Sequence, residues 1–386
     1  MRMLHVAGRV SDRGGAYTHM LSVLRQLSLE HDVTLAAGRR EGVDAPCPVV
    51  ACPGLDERVA APTPALETLA ARGRFDIVHV HNVVNPAVLR WAREQAFPPA
   101  GDGDAARQGH GGRAVATVVT VQDHRFFCPG RGKWTRDGRP CREALGERVC
   151  AGCFDDPAYF HDVLALTRER LDALRHLPVV VLSEYMRGEL VQAGLDPRDL
   201  HVIPPFVDGL DEDAQPDGVP CVAFVGRLAE GKGVRDAIDA WKQSGVNLPL
   251  VFAGTGPLRG ELERGGFEVL GWLDRARLSA LYTRARAVLL PSRWQEPFGI
   301  AGLEAQRMGV PVVAWDSGGV AEWHHGERVA WGDVHGLARA LRQAVEQREE
   351  PRREQGMPSR QSPPGFDRRT VMDRLLWLYG QVATRR

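Results

Sequence analysis

Two carboxylates eight residues apart, Glu296 and Glu304, flank a segment that the sequence predicts to be a turn between a strand and a helix. The apolar run 287–290 has the composition of a buried strand, and Pro297 suits the first turn of a helix, where proline is tolerated. At a rise of about 1.5 Å per residue the two carboxylates would lie roughly 12 Å apart, a separation that suits opposite ends of one extended ligand. Each glutamate alone also fits a solvated surface acid or an acid beside a helix N-terminus. Other motifs must therefore distinguish a ligand site from these two interpretations.

A turn with two cations, Arg227 and Lys232, follows the predicted strand 221–225 and leads into a helical pattern. Cations beside the free backbone N–H groups of a helix N-terminus form an anion site. The turn nearly reproduces a phosphate-binding P-loop, but Gly233 replaces the hydroxyl residue that would hold magnesium. The pattern therefore favours an anion site over a basic surface turn, and it disfavours a P-loop triphosphatase, which stays open as an alternative.

Four of the seven cysteines lie within an insertion at residues 125–155: Cys128, Cys141, Cys150 and Cys153. Four thiolates can hold a tetrahedral structural zinc ion, and the basic residues of the insertion would offset the negative charge of zinc tetrathiolate. Ordinary thiols, one redox pair or an iron–sulfur cluster are the alternatives. We favour structural zinc.

Short β-branched runs alternate with helical patterns in both halves, which predicts parallel sheets covered by helices. The predicted strands are 4–7, 33–37, 77–80, 116–121, 179–183, 221–225, 250–253, 287–290 and 310–314. The prolines at 204 and 205 predict the boundary between the halves. Segments 98–112 and 347–365 have the composition of loosely ordered chain, and apolar positions between 371 and 379 predict a terminal helix.

The composition bounds the class of protein. With 386 residues the chain predicts two domains. Lys plus Arg (49) equals Asp plus Glu (49), so no global charge favours nucleic acid as a partner. No apolar run approaches the length of a transmembrane segment, and the N-terminus resembles a first strand rather than a signal peptide. We therefore expect a cytoplasmic protein, with peripheral contact at the inner membrane face as an open alternative.

Several spaced motifs in the second half closely resemble the nucleotide-sugar domain of the family-4 retaining glycosyltransferases. They are, in chain order, Gly226-Arg227 with Lys232-Gly233, Gly254 to Pro257, Gly271-Trp272, Glu296 to Glu304, Gly309 to Ala314, and Gly318-Gly319 with Glu322. The first half is similar to the same family less tightly, through Gly14-Gly15, the segment 76–82, and Thr120 to Asp123 leading to Cys128.

The resemblance implies a GT-B architecture: an α/β protein with two facing Rossmann-like domains built on parallel sheets. Residues 1–205 would form the acceptor-binding domain and carry the Cys-rich insertion 125–155. Residues 206–365 would bind the donor, and a helix within 366–386 would cross back to the first domain.

The resemblance also implies roles for residues at matching positions. Arg227 and Lys232 would grip the donor diphosphate, Glu304 would bind the ribose, and Trp272 would help frame the base. Glu296 would contact the transferred sugar.

Backbone groups complete the implied donor site. Sugar contacts would come from the backbone of Phe298, Gly299 and Ile300, and close backbone approaches to the donor from Gly14, Gly15, Gly226 and Gly254. Fixed cations stabilise the charge that develops on a departing diphosphate, so this step needs no metal cofactor.

The predicted function is therefore transfer of a sugar, with retention of configuration, from a nucleoside-diphosphate sugar to a hydroxyl acceptor. By resemblance UDP-sugar is the first choice of donor and GDP-sugar the second. The acceptor is a glycan, a lipid-linked glycan or a small natural product. A P-loop-like triphosphatase and a non-catalytic zinc- or ligand-binding protein are the alternatives.

One departure from the family pattern generates a prediction. The family commonly has His-Asp where this chain has Gln122-Asp123, residues that the resemblance places beside the donor sugar. Glutamine donates a hydrogen bond but, unlike histidine, cannot take up a proton and become positively charged. We expect Gln122→His to change donor selectivity or rate in steady-state kinetics across a donor panel. Identical kinetics for the two proteins would reject the idea.

Overall fold

The computed structural model describes residues 1–98, 114–349 and 365–384. The chain divides into two compact units by internal contacts. The first comprises the described residues of Met1–Gly130, Glu143–Pro204 and Arg369–Arg386, and the second comprises those of Arg131–Arg142 and Pro205–Arg368. The segments predicted to be loosely ordered fall mostly outside the described residues.

The first unit is built on a parallel sheet with the order β3-β2-β1-β4-β5-β6-β7 in its described part. Its strands are β1 Arg2–Val10, β2 Asp32–Arg40, β3 Val49–Ala51, β4 Ile77–His81, β5 Ala116–Val121, β6 Val179–Val181 and β7 Leu200–Val202. Its helices are α1 Gly15–Leu27, α2 Pro64–Gly73, α3 Pro86–Ala96, α4 Glu147–Ala151, α5 Pro157–Leu174 and α6 Glu184–Gln192.

The second unit has a parallel sheet with the order β10-β9-β8-β11-β12-β13. Its strands are β8 Cys221–Val225, β9 Leu250–Ala253, β10 Glu268–Gly271, β11 Ala285–Leu290, β12 Val312–Trp315 and β13 Arg328–Val329. Its helices are α7 Val234–Ser244, α8 Arg259–Arg264, α9 Arg275–Arg284, α10 Ile300–Arg307 and α11 Val334–Glu349. The last helix of the chain is α12 Arg368–Thr384, and it groups with the first unit from Arg369 onward.

The predicted class of fold is confirmed, because both sheets are parallel and alternate with helices along the chain. The structure adds four short strands that the sequence patterns did not reveal: β3, β7, β10 and β13. These strands are two to four residues long and lie at or next to sheet edges, where pairing with one neighbour sustains a strand without a continuous apolar run. None of the described helices is both long and apolar enough to span a membrane.

Each sheet has one point at which the strand order reverses. In the first unit β1 lies between β2 and β4, and in the second β8 lies between β9 and β11. In open parallel sheets, ligands bind outside the carboxyl ends of the strands at this reversal. The turns after β8 and β11 are therefore the expected binding edge of the second unit.

Part of the Cys-rich insertion belongs to the second unit. The sequence analysis assigned residues 125–155 to the N-terminal domain, whereas Arg131–Arg142 groups with the second unit. The physical reason is a set of contacts with the loop after β11, which includes a hydrogen bond of 2.9 Å from the Gln295 N–H to the Gly132 carbonyl.

Three histidines lie inside the first unit: His5 on β1, and His79 and His81 on β4. His5 Nδ1 lies 2.7 Å from His81 Nε2, and the two ring nitrogens of His79 lie 2.6 Å from the Tyr379 hydroxyl and from the Thr120 hydroxyl. The donor atoms of the three rings lie within 4.8 Å of one another. Burial lowers the pKa of His5 to about 3 and the pKa values of His79 and His81 well below their usual range, so all three rings are neutral at pH 7.

These neutral rings predict acid sensitivity of the first unit. The unfolded chain protonates each ring near pH 6.5, whereas the folded chain does not, so the unfolded state binds more protons as the pH falls. The free energy of unfolding should decrease below about pH 6.5 by up to about 1.4 kcal/mol per pH unit for each ring. For His5 this loss continues down to a pH of about 3.

Urea unfolding between pH 7 and pH 5 measures this effect. In His5→Gln the free energy of unfolding should fall less steeply with decreasing pH, by up to about 1.4 kcal/mol per unit. The exposed His161 on α5 provides the control, since His161→Gln should leave the slope unchanged. Equal slopes for His5→Gln and the wild type would mean that His5 is not a buried neutral ring.

Candidate functional site

The turn after β8 brings the two predicted cations to the reversal point of the second sheet. A short 3₁₀ turn, Glu230–Lys232, leads to Gly233, whose left-handed backbone (φ 70°) begins α7. A Cβ atom built on Gly233 would lie 1.7 Å from the Pro291 carbonyl oxygen. Only glycine therefore fits at this position, and the fold excludes the magnesium-binding hydroxyl that a P-loop requires there.

Lys232 and Glu296 form a buried ion pair, with Lys232 Nζ 2.6 Å from Glu296 Oε1. The Lys232 side chain is 18% exposed and that of Glu296 is 4% exposed. The same oxygen accepts hydrogen bonds from the Ser292 hydroxyl and, at 2.9 Å, from Trp294 Nε1. Burial alone would raise the pKa of Glu296, but the charge and hydrogen bond of Lys232 outweigh burial and lower the pKa. Glu296 is therefore a carboxylate at neutral pH, and these three donors all lie on one of its oxygens.

The indole of Trp294 holds both predicted cations at its ring. Arg227 Cζ lies 4.9 Å and Lys232 Nζ lies 4.3 Å from the ring centroid. Each distance is within the range of a cation–π interaction. Trp294 thus positions Arg227 and Lys232 and hydrogen-bonds Glu296, and the sequence analysis did not single it out.

The loop that carries Glu296 is fixed by the turn after β12. The Gly319 N–H donates to the Glu296 carbonyl at 2.8 Å, and the Gly318 N–H donates to Gln295 Oε1 at 3.0 Å. The Ser317 hydroxyl donates to the Trp294 carbonyl at 2.8 Å. The Gly318-Gly319 motif therefore orients the loop that bears the acid.

Glu304 is buried on α10, and its partner is Arg275. Arg275 Nη1 donates to Glu304 Oε1, and Nη2 donates to the Asp208 carbonyl. The sequence motifs did not reveal Arg275, although its position in a helix gave one indication. It opens α9, and a cation in the first turn of a helix opposes the helix dipole, which marks a position where another interaction dominates.

Glycines bring the strand ends of the second sheet close together. The Gly226 N–H donates to the Ala253 carbonyl at 2.9 Å, and the Gly254 N–H donates to the Gly271 carbonyl at 2.7 Å. A Cβ atom built on Gly254 would lie 1.8 Å from the Gly226 carbonyl oxygen. The predicted glycines therefore converge at one edge, and Trp272 follows Gly271 directly at the end of β10.

The start of α10 presents backbone donors at the same edge. Gly299 is the N-terminal flanking residue (φ 90°), Ile300 is the first helical residue, and Phe298 is buried before them. The first N–H groups of a helix have no acceptor within the helix, so this end suits an anion or a sugar hydroxyl.

The predicted residues of the first unit follow the carboxyl ends of β1 and β5, and those after β1 lie at the reversal point of the sheet. Gly14 (φ 126°) and Gly15 begin α1 directly after β1. The Gln122 N–H follows β5 and donates to Asn82 Oδ1 at 3.0 Å. Asp123 caps the turn His124–Phe126 and forms two hydrogen bonds of 2.8 Å with the Arg125 guanidinium.

The ionisation of Asp123 reflects this pairing. Burial would raise the pKa of Asp123, but the hydrogen bonds and charge of Arg125 lower it. Asp123 is therefore ionised at neutral pH and held by Arg125 rather than placed as a proton acceptor.

The four cysteines of the insertion are divided between the units. Cys128, Cys150 and Cys153 belong to the first unit and Cys141 to the second. A Cβ atom on Gly130 would lie 3.9 Å from Cys153 Sγ, so the turn after Cys128 approaches Cys153. Among the described residues, no three of these thiols lie within 4.8 Å of one another. The zinc site therefore stays a prediction.

Comparisons with known proteins point to one family. Residues 219–347 match the family model "Glycosyl transferases group 1". Over 138 residues the chain is 38% identical to a glycogen synthase of Mycobacterium tuberculosis, a match that covers 32% of this chain and 33% of the relative. It is 28% identical over 180 residues to a 2-deoxystreptamine glucosyltransferase of Streptomyces kanamyceticus, covering 40% of this chain and 46% of the relative. The chain spans about a third to a half of the length of these curated relatives.

A solved structure resembles the whole chain. The HepE protein of Anabaena, in complex with UDP and glucose, has a TM-score of 0.70 at 16% identity and covers 99% of this chain and 100% of its own. At this identity the likeness establishes the fold, which is GT-B. The family match lies within the second unit, and the predicted resemblance to the group 1 glycosyltransferases is confirmed.

The insertion generates a test of metal binding. Protein purified without added metal should contain about one zinc ion per chain by elemental analysis if the four cysteines form a tetrathiolate site. Cys153→Ser should lower the zinc content, whereas Cys47→Ser, outside the insertion, should not. Wild-type protein without bound metal would end the zinc hypothesis.

Proposed function

We propose that this protein is a retaining glycosyltransferase that moves a sugar from a nucleoside-diphosphate sugar to a hydroxyl acceptor, with UDP-sugar the first choice of donor and GDP-sugar the second. The observation that carries the proposal is the cluster of Arg227, Lys232, Trp294 and Glu296 at the reversal point of the second sheet. The cluster combines cations for a diphosphate with an ionised acid for a sugar.

The chemistry follows from charge. When the bond between the sugar C1 and the diphosphate oxygen breaks, the electron pair remains on the diphosphate. Arg227, Lys232 and the first N–H groups of α10 would stabilise this charge as it forms. The acceptor hydroxyl oxygen bonds to C1, and its proton passes to the departing diphosphate. Retention of configuration rests on the family resemblance.

Glu296 suits the transferred sugar in this proposal. Lys232, Ser292 and Trp294 all donate to Oε1, so Oε2 would accept hydrogen bonds from sugar hydroxyls. Glu304 would bind the ribose hydroxyls beside Arg275. By the family resemblance, Gln122 and Asp123 would lie beside the donor sugar.

The similar proteins support two classes of acceptor. The glycogen synthase name implies a glycan acceptor, and the 2-deoxystreptamine glucosyltransferase name implies a small natural product. A third class, a lipid-linked glycan, is supported by a structural neighbour described as a lipopolysaccharide outer core galactosyltransferase, with a TM-score of 0.59.

A panel of UDP-, GDP- and ADP-sugars tests the donor by thermal unfolding. A donor at one hundred times its Kd should stabilise the folded state by about 2.7 kcal/mol and raise the unfolding midpoint. In Arg227→Gln, which removes an exposed cation, donor affinity should fall about 10- to 100-fold, since hydrogen bonds to charged groups contribute about 1.5–3 kcal/mol.

The matched control is Arg264→Gln, because Arg264 is also exposed and lies on α8, where no site residue has been placed. Its donor affinity should equal that of the wild type. The proposal fails if no nucleotide sugar raises the unfolding midpoint of the wild type. Magnesium-dependent hydrolysis of ATP would instead favour the triphosphatase.

A further inference from the structure

The segment Arg131–Arg142, here called the arm, lies within the first half of the sequence but groups with the second unit. It forms a hairpin. Trp134 and Pro140 form an isolated antiparallel β-bridge, and the Cys141 N–H donates to the Lys133 carbonyl at 2.8 Å. Gly132 and Lys133 both have left-handed backbones, with φ values of 79° and 61°. A lysine in this conformation is uncommon, and such backbone strain is found most often at functional sites.

The arm contacts the loop that bears Glu296. The Gln295 N–H donates to the Gly132 carbonyl at 2.9 Å, one residue before the acid. The adjacent Trp294 N–H donates to the Gly231 carbonyl at 3.0 Å. Successive residues of one loop are thus held by the arm and by the turn that carries Lys232.

Trp134 is the buried side chain of this contact, at 5% exposure. Arg131 Cζ lies 5.2 Å and Arg293 Cζ lies 5.9 Å from its ring centroid. Arg293 in turn forms a bidentate ion pair with Asp236 on α7, with bonds of 2.6 and 2.8 Å. The indole therefore packs on an arginine that is anchored to α7. This helix follows the turn Glu230–Lys232, here called the diphosphate turn because Lys232 would bind the donor diphosphate.

Trp134 and Trp294 approach the diphosphate turn at the same residue. A Cβ atom on Gly231 would lie 3.8 Å from Trp294 Cε3 and 4.0 Å from Trp134 Nε1. An indole of the arm and an indole of the loop thus flank the backbone next to Lys232. Trp134 therefore lies against Gly231, the residue whose carbonyl accepts the Trp294 N–H and which precedes Lys232.

We infer that the arm is part of the donor site, and that Gly132 and Trp134 are positioning residues that hold the Trp294–Glu296 loop against the diphosphate turn. The inference rests on the proposed function. It gives the Cys-rich insertion a role in binding nucleoside diphosphates. Its ligand class is the nucleoside diphosphate that Arg227 and Lys232 would bind.

Two measurements on Trp134→Ala test the inference. Hydrogen exchange of a peptide spanning 293–300, measured without nucleotide, should be faster than in the wild type. The affinity for UDP, measured by calorimetry, should fall about 3- to 30-fold, the range expected when cation–π packing is lost. Trp134→Phe keeps an aromatic ring and should restore most of the affinity and protection.

The control is Trp377→Ala, because Trp377 lies on α12 and is 62% exposed. Both its exchange and its UDP affinity should match the wild type. A thermal unfolding midpoint for each variant separates a local effect from global destabilisation.

The outcomes distinguish the two proposals. If wild-type protein binds UDP and Trp134→Ala binds it equally well, the role of the arm is rejected and the proposed function survives. If wild-type protein binds no nucleoside diphosphate, both are rejected. Faster exchange across the whole of the second unit in Trp134→Phe would show that the tryptophan acts only through global stability, which also overturns the inference.

Discussion

The buried ion pair between Lys232 and Glu296 is the interaction on which the proposed donor site depends. Removing both charges from water is costly, and losing one partner of such a pair commonly destabilises a protein by about 3–5 kcal/mol. The protein offsets this cost with two further donors, Ser292 and Trp294, on the same carboxylate oxygen. The turn after β8 and the loop after β11 are thereby fixed to each other, as the proposed donor site requires.

The parallel sheet explains why these two segments meet at all. Lys232 and Glu296 are separated by 64 positions in the chain. They become neighbours because β8 and β11 are adjacent at the reversal of strand order, which brings their carboxyl ends together. Glycines with left-handed backbones then allow the closest approaches, as at Gly233 beneath Pro291. The charged side chains and the reversal of strand order therefore lie at the same edge of the sheet.

The same edge also accounts for the residues that pattern reading missed. Arg275 pairs with Glu304 from a neighbouring helix, 29 positions away. Trp294 lies two residues before Glu296, but its interactions are with cations contributed by another turn. The arm contributes Trp134 from the first half of the sequence. In each case the partner is distant in the chain, so no local spacing could reveal it.

The sequence by itself determined the class of fold and the longer strands. It also identified two cations and two acids as candidate site residues, because hydrophobic periodicity and glycine-rich turns are local properties of a chain. Only the tertiary structure decided that Lys232 forms an ion pair with Glu296, that Arg275 forms one with Glu304, and that the arm belongs to the second unit. The physical reason is that burial and ion pairing depend on which side chains share a low-dielectric space, and that is set by packing over long sequence separations.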